Sequence, residues 1–215
     1  MADLQRPSIG LVDYGMGNLH SVQRAFERLG TSVVPVTSAA AMEDCQALVL
    51  PGVGAFDPAM AQLQAAGLIE PLRQWCAGGA PLLGICLGLQ LLFEGSDEGS
   101  SPGLGILAGQ VRALPRSPGH PIPHMGWERL LPAEPSPLLP AGASEAWMYF
   151  VHSFAAEPAD PRCTTARVSF AGANLTAAVW QGRVGACQFH PEKSGPSGEA
   201  MLRRWLAWLH ASSGR

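Results

Sequence analysis

The 215 residues carry a formal net charge of −3 with 14% charged side chains, so no basic surface speaks for nucleic acid or an anionic membrane. No apolar run reaches the ~18 residues that a membrane span needs, and the N-terminus lacks the basic-then-apolar form of a signal peptide. Five cysteines, at 45, 76, 86, 163 and 187, are odd in number and lack framework spacing, which fits a reduced, cytoplasmic protein.

Residues 1–7 are expected to be a flexible N-terminal extension of a single domain that takes in the whole chain, 1–215. Residues 8–12 form a first buried strand. Asn18 caps a helix in which Val22, Ala25, Phe26 and Leu29 fall at helical spacing, and Gly30 stops it. Residues 32–36 and 47–50 are short apolar runs bounded by turn residues, hence strands. A helix over 58–77 is interrupted at Gly67. The run Ala80-Pro81-Leu82-Leu83 then leads through Cys86 into another helix. Strands alternating with helices imply a mostly parallel sheet covered on both faces. From 95 to 145 the texture turns to Gly, Pro and Ser, expected as loops and short antiparallel strands on the sheet's edge. Strands follow near 147–151, 164–169, 177–181 and 184–189. A last helix aligns Met201, Leu202, Trp205, Leu206 and Leu209 on one stripe.

The chemistry begins at Gly84-Ile85-Cys86-Leu87-Gly88-Leu89-Gln90. A cysteine between glycines at a strand's end has the form of a nucleophile elbow, a turn so tight that its neighbours carry almost no side chain. The amides of Leu87 and Gly88 then open a helix and point to where an oxyanion would form. A buried structural cysteine in a Gly-rich turn is an equal reading of the elbow alone.

The strand 184–189 breaks that tie by delivering His190-Pro191-Glu192 at its end. A thiol needs a base, and the base needs a group to fix its tautomer. His190 fits the first role and Glu192 the second, with Pro191 stiffening the turn between them.

These two stretches resemble the signatures of the triad-type glutamine amidotransferases, which release ammonia from glutamine for a synthase. Leu50-Pro51-Gly52-Val53-Gly54-Ala55-Phe56 fills the place of that family's glycine-rich oxyanion strand. Asp13-Tyr14-Gly15-Met16-Gly17-Asn18-Leu19, Pro123-His124-Met125-Gly126-Trp127, Tyr149-Phe150-Val151-His152-Ser153-Phe154 and Lys193-Ser194 narrow the likeness. They are similar to the branch of glutaminase subunits of imidazole glycerol phosphate synthases. The resemblance runs from about residue 8 to the end.

What it implies is specific. The fold would be α/β and class I glutamine amidotransferase-like, with helices flanking a mostly parallel sheet that has an antiparallel edge extension. Cys86, His190 and Glu192 would be catalytic. Gly52, Val53 and Leu87 would hold the oxyanion, and Gln90, Ser153 and Phe154 the substrate L-glutamine. Asn18, Trp127 and Lys193 would face a (β/α)8-barrel cyclase subunit, which uses the ammonia in histidine biosynthesis. No cofactor and no metal is implied. Lys193 is the only lysine beside 13 arginines, as if an ammonium were needed there.

Other patterns fail. Gly15-Met16-Gly17 lacks the third glycine of a dinucleotide fingerprint. Gly103-Leu104-Gly105 follows Ser-Ser-Pro, not a strand. Pro121 and Pro123 bar His120 and His124 from one helix, so they make no two-His zinc face. Cys187 is expected to point away from the triad, since strand residues alternate faces. A glutaminase for a chorismate-utilising synthase would share the triad but not the Pro-His-Met-Gly-Trp or Asp-Tyr-Gly-Met-Gly-Asn stretches. A stand-alone cysteine hydrolase would be fully active without a partner. A binding subunit with a redox-sensing cysteine would not need His190 and Glu192.

Overall fold

The structure is a computed structural model that describes residues 8–140 and 146–212; the extension expected over 1–7 lies outside the described residues. In chain order the elements are β1 (Ile9–Val12), α1 (Leu19–Arg28), β2 (Val33–Val36), β3 (Ala47–Gly52), α2 (Phe56–Ala65), α3 (Ile69–Ala77), β4 (Leu82–Cys86) and α4 (Leu87–Leu91). There follow β5 (Gly109–Ala113), β6 (His124–Arg129), β7 (Leu131–Pro132), β8 (Trp147–His152), β9 (Phe154–Pro158), β10 (Thr164–Phe170), β11 (Ala173–Gln181), β12 (Val184–Cys187) and α5 (Gly195–Ser212).

The main sheet has eight strands in the order β2-β1-β3-β4-β12-β11-β10-β7. From β2 to β12 the neighbours run parallel, and beyond β12 they are antiparallel. The inner parallel strands β1, β3, β4 and β12 are buried on both faces, which is why they read as continuous apolar runs, whereas the edge strand β2 exposes Val34 and Pro35. Their alternation splits the core in two. Ile9, Leu11, Ala47, Val49, Leu83 and Ile85 face α1 and α5, where Trp205 meets Phe26 edge to face at 6.0 Å. Leu48, Leu50 and Leu82 face α2 and α3 with Phe56, Met60, Leu63 and Leu72. The stripe expected on α5 is the buried one, and the helix expected over 58–77 divides into α2 and α3 around Gly67, whose φ is +67°.

The described residues from 95 to 140 depart from expectation. Among them only β7, two residues long, reaches the edge of the main sheet. β5 pairs with β9 and β6 with β8 in two separate antiparallel ribbons. The β6–β8 ribbon alternates strictly. His124, Met148, Phe150 and His152 are buried, while Met125, Trp127 and Trp147 are 63%, 51% and 51% exposed. No helix among the described residues is long and apolar enough to cross a membrane.

The junction of β4 and α4 is the tightest point of the fold. Cys86 adopts φ 56° and ψ −112°, a region that costs a non-glycine residue about 1–3 kcal/mol. Two glycines make room for it. A Cβ on Gly88 would fall 1.9 Å from the Leu50 carbonyl oxygen, and one on Gly84 would lie 3.0 Å from the Gly88 carbonyl oxygen. Gly88→Ala is therefore expected to cost about 1–3 kcal/mol in urea unfolding and to slow alkylation of Cys86. Gly67→Ala is the control. Nothing lies within 4 Å of its added methyl, so it carries only the positive-φ cost of about 1–2 kcal/mol and leaves the thiol's reactivity alone.

Candidate active site

β12 runs parallel to β4, with Cys187 opposite Ile85, so the residues just past β12 come up beside the end of β4. That register brings His190 to Cys86 across about a hundred residues of sequence. Pro191 opens a short 3₁₀ turn, Pro191–Lys193, which folds Glu192 back onto the imidazole. His190 Nδ1 donates to Glu192 Oε1 at 2.7 Å, with both side chains almost wholly buried. Ser194 Oγ donates to the His190 carbonyl at 2.6 Å and accepts from Tyr149 N–H at 3.0 Å, tying the turn to β8. The other ring nitrogen, Nε2, is buried without a hydrogen bond among the described residues and interacts with the Cys86 thiol. Burial alone would pull the imidazole's pKa down. The neighbouring Cys86 thiol, then the hydrogen bond and charge of Glu192, outweigh it and push His190 up to about 9.

Above the thiol lies a cavity of about 310 Å³. Val53, Gly54, Cys86, Leu87, Gln90, Glu98, His152, Ser153, Phe154 and His190 are among the residues that line it. Gly52 sits opposite Cys86 in the β3–β4 register. Beyond its freedom to rotate, Gly52 has a packing reason to be glycine: a Cβ there would lie 2.6 Å from Tyr14 Oη and 2.9 Å from Leu87 Cβ. Tyr14 donates to the Pro51 carbonyl at 3.0 Å, and burial, then the charge of Cys86, raises its pKa.

Gln90 is buried in the cavity wall. Its amide nitrogen donates to the Phe154 carbonyl at 3.2 Å and to Gln188 Oε1 at 3.1 Å. Gln188, fully buried, reaches toward Cys86 Sγ at 3.9 Å. Reading the sequence missed Gln188 and Glu98. Gln188 stands two residues before His190, and no spacing in the sequence reports its bond to Gln90, 98 residues away. Glu98, the only carboxylate on the cavity wall among the described residues, lies in the Gly/Ser stretch after α4 and accepts the Phe56 N–H at 2.8 Å. Reading the sequence also gave His124 and His152 no role of their own. The structure pairs them, His124 Nδ1 to His152 Nε2, at 3.0 Å.

Asn18 accepts from Ser21 N–H at 3.3 Å as the N-cap of α1. The turn carrying the exposed Lys193 packs against α1 on one side and β8 on the other, and Tyr149 of β8 meets the Trp127 ring at 6.1 Å. The turn of Lys193 thus touches both the helix that Asn18 caps and the strand whose Tyr149 meets Trp127. Cys187 faces the core as expected, donating weakly to the carbonyls of Phe189 and Gly84. It is not remote from the site, however. Burial raises its pKa, and the charges of Glu192 and Cys86 add to the shift. A larger hollow of about 470 Å³ lies between β9 and the β10–β11 hairpin; its lining includes Arg112, Arg167, Asn174, Thr164 and Thr176 but, among the described residues, no cysteine, serine or histidine.

The sequence profile described as "Glutamine amidotransferase class-I" matches residues 10–208. The chain belongs to that family. Within it, the chain is 57% identical to "Imidazole glycerol phosphate synthase subunit HisH" of Synechococcus sp. (strain CC9605), over 94% of this chain and 95% of that one. It is 56% identical to "Imidazole glycerol phosphate synthase subunit HisH 2" of Prochlorococcus marinus (strain MIT 9313), over 95% and 96%. Among solved structures, the fold is that of PurLQS from Thermotoga maritima, with a TM-score of 0.74 at 21% identity over 95% of this chain and 100% of that one. A structure described as a glutamine amidotransferase gives 0.73 at 22% identity, over 94% and 98%. The class-I amidotransferase fold thus accounts for the parallel sheet, its antiparallel extension and the helices on both faces.

The two pocket histidines are displaced from 6.5 in opposite senses, and stability should follow. Burial, partly opposed by the bond to Phe154 and reinforced by His124 and His190, lowers His152 to about 4. Its contribution is complete above pH 6.5 and is lost as pH falls through 4. His190 is raised, so its contribution is complete below pH 6.5 and is lost as pH climbs through 9. The urea midpoint is expected to be highest near pH 6.5. His152→Asn should flatten the acid limb, and His190→Asn the alkaline one.

Proposed function

We propose that this chain is the glutaminase subunit of imidazole glycerol phosphate synthase. In this reading it is a single glutamine amidotransferase domain working in the cytoplasm. It splits L-glutamine and passes the ammonia to a (β/α)8-barrel cyclase subunit, which makes imidazole glycerol phosphate and aminoimidazole carboxamide ribotide. The observation that carries the reading is the buried His190–Glu192 hydrogen bond of 2.7 Å, set beside a cysteine at a strained strand-to-helix turn.

The chemistry follows from that arrangement. His190 takes the proton of Cys86, and the sulfur attacks the side-chain carbonyl carbon of glutamine. The carbonyl electrons move onto oxygen, which is met by the Leu87 N–H and by the Gly52–Val53 peptide. The C–N bond breaks as His190 returns a proton to the departing nitrogen, leaving a thioester on Cys86 and free ammonia. His190 then removes a proton from water, hydroxide adds to the thioester, and glutamate leaves as the thiol is restored. Glu192 keeps the imidazole in the required tautomer and balances its charge. Glu98, on the cavity wall, supplies a carboxylate for the substrate's ammonium. Backbone at Ser153 and Phe154 and the side chain of Gln90 hold the rest.

Met16 and Gly17 of the Asp13–Asn18 loop press on the same strand. A Cβ on Gly54 would lie 2.8 Å from Met16 Cε, and one on Gly17 would lie 3.4 Å from Pro51 Cγ. The loop ending at Asn18 thus bears on the oxyanion peptide, and the surface that carries Asn18, Lys193 and Trp127 is the seat for the cyclase. Delivery across a sealed contact keeps ammonia from being protonated and lost in bulk water.

Cys86→Ala in the assembled enzyme should cut glutamate release by about 10⁴-fold or more yet leave turnover with added ammonium salts intact. If ammonia-dependent turnover collapses as well, the division of labour is refuted. Glu192→Gln should lower glutaminase activity by about 10²–10⁴-fold, less than His190→Asn; wild-type rates would remove Glu192 from the mechanism. Lys193→Arg keeps the charge but not the compact ammonium. A binding titration should show near-normal association, whereas ligand stimulation of glutamate release at saturating cyclase should weaken.

A further inference from the structure

Two buried imidazoles, His152 on the cavity wall and His124 hydrogen-bonded to it, take no part in the chemistry above. The β6–β8 register places His124 opposite His152, and each is only 5% exposed. His124 stacks on Phe150 at 5.6 Å and lies 4.6 Å from the Phe170 ring. Apolar packing alone would be served by a third phenyl ring. The hydrogen bonds are what a phenyl ring would not supply.

Those bonds have a direction. His152 Nδ1 lies 2.9 Å from the Phe154 carbonyl oxygen. A carbonyl only accepts, so Nδ1 carries the proton. With His152 held neutral by burial, its Nε2 is an acceptor, and His124 Nδ1 must donate to it across 3.0 Å. Glu128 Oε1 stands 3.5 Å from the remaining nitrogen, His124 Nε2, at the half-exposed rim of the ribbon. Each proton is fixed by the bond before it.

The Phe154 carbonyl is the end of this chain and the start of another. It also accepts from Gln90 Nε2, whose second proton goes to Gln188. Both amide protons of Gln90 are thereby committed, and its Oε1 is the acceptor it offers the cavity. A carbonyl free to swing would let that amide turn over and present donors in place of an acceptor.

We propose that His124 and His152 are positioning residues for glutamine capture, fixing the Phe154 carbonyl and, through it, the orientation of the Gln90 amide. The proposal rests on the glutaminase reading above and adds two residues to it. They act before the chemical step, so their loss should appear in KM and spare kcat.

The test uses the chain assembled with its cyclase. It combines glutamine titration of glutamate release with the rate of Cys86 alkylation by iodoacetamide, followed by peptide mass spectrometry. Alkylation needs the thiol and its base but not the glutamine contacts. His152→Phe should raise KM by about tenfold or more with kcat changed less than about threefold, and alkylation should stay near wild type. His152→Asn, whose amide nitrogen occupies the place of Nδ1, should recover KM to within about threefold. His124→Phe preserves the ring slot and should give a smaller rise in KM, which His124→Asn, with its amide nitrogen again in the place of Nδ1, reverses.

KM within about twofold of wild type in both phenylalanine variants overturns the proposal. So does a fall in kcat and alkylation together at constant KM, which would place the imidazoles behind the thiol or the fold. A wild-type complex that releases no glutamate while Cys86 still alkylates would instead overturn the glutaminase reading, and this proposal with it.

Discussion

The site depends on one backbone conformation, the left-handed turn at Cys86. A strained residue persists only where its surroundings over-determine it, and here three elements do so. β3 holds β4 through the Gly52–Cys86 pair, β12 holds β4 from the other side, and α4 drops onto β3 so closely that Gly88 has no room for a methyl group. The strain is offset by the burial of Leu87, Leu89 and Leu91 in the core beneath α2. Freed from that packing, the turn would relax and carry the thiol away from His190. Stability and activity are therefore linked through the packing under α4 more than through any surface contact.

The same three strands decide which distant residues become neighbours. Parallel strands end together at one edge, so whatever follows β3, β4 and β12 meets there. Gly52-Val53-Gly54 follows β3, Leu87 follows β4, and His190 follows β12. Antiparallel pairing at any one of these positions would send the following segment to the opposite edge. The second wall of the cavity is built differently. It comes from β8 and the start of β9, joined at Ser153, and belongs to the ribbons outside the main sheet. The catalytic side is thus fixed by the core, and the substrate side by a ribbon whose outer face carries exposed Met125, Trp127 and Trp147. A subunit seated on that outer face would press on the back of the glutamine-binding wall.

This division also explains what could be read from the sequence. The elbow and His-Pro-Glu are each compressed into a few residues, and their chemistry is local. Glycine is required at 84 and 88 by contacts within one turn or with the adjoining strand, so the pattern survives without knowledge of the fold. Gln188 and His124 were opaque for the opposite reason. Their partners, Gln90 and His152, lie far away in sequence, and no short spacing reports a buried hydrogen bond of that kind. The ribbons were misjudged as an extension of the sheet's edge because 95–145 is rich in Gly, Pro and Ser. Period-2 alternation in β6 is real, but with Gly126 and exposed aromatics it resembles a loop. β9 begins one residue after β8 ends, so the break at Ser153 leaves no turn signal.

Two histidines with nearly the same burial sit in one cavity and titrate on opposite sides of neutrality. The Cys86 thiol at Nε2, then the Glu192 carboxylate at Nδ1, raises His190, whereas desolvation lowers His152. His190 meets a buried carboxylate, which favours the cation; His152 meets a carbonyl oxygen, which orients the ring but offers no full charge against desolvation. Each also bears on the other, since the charge on His190 lowers His152 further. That separation suits the reaction. The imidazole that must carry a proton has a counter-ion, and the imidazole that must only orient a carbonyl is kept neutral, so that a second positive charge does not compete for the carboxylate of Glu192. A carboxylate in place of the Phe154 carbonyl would raise His152 as well, and two cations in one small cavity would weaken the acid on which release of ammonia depends.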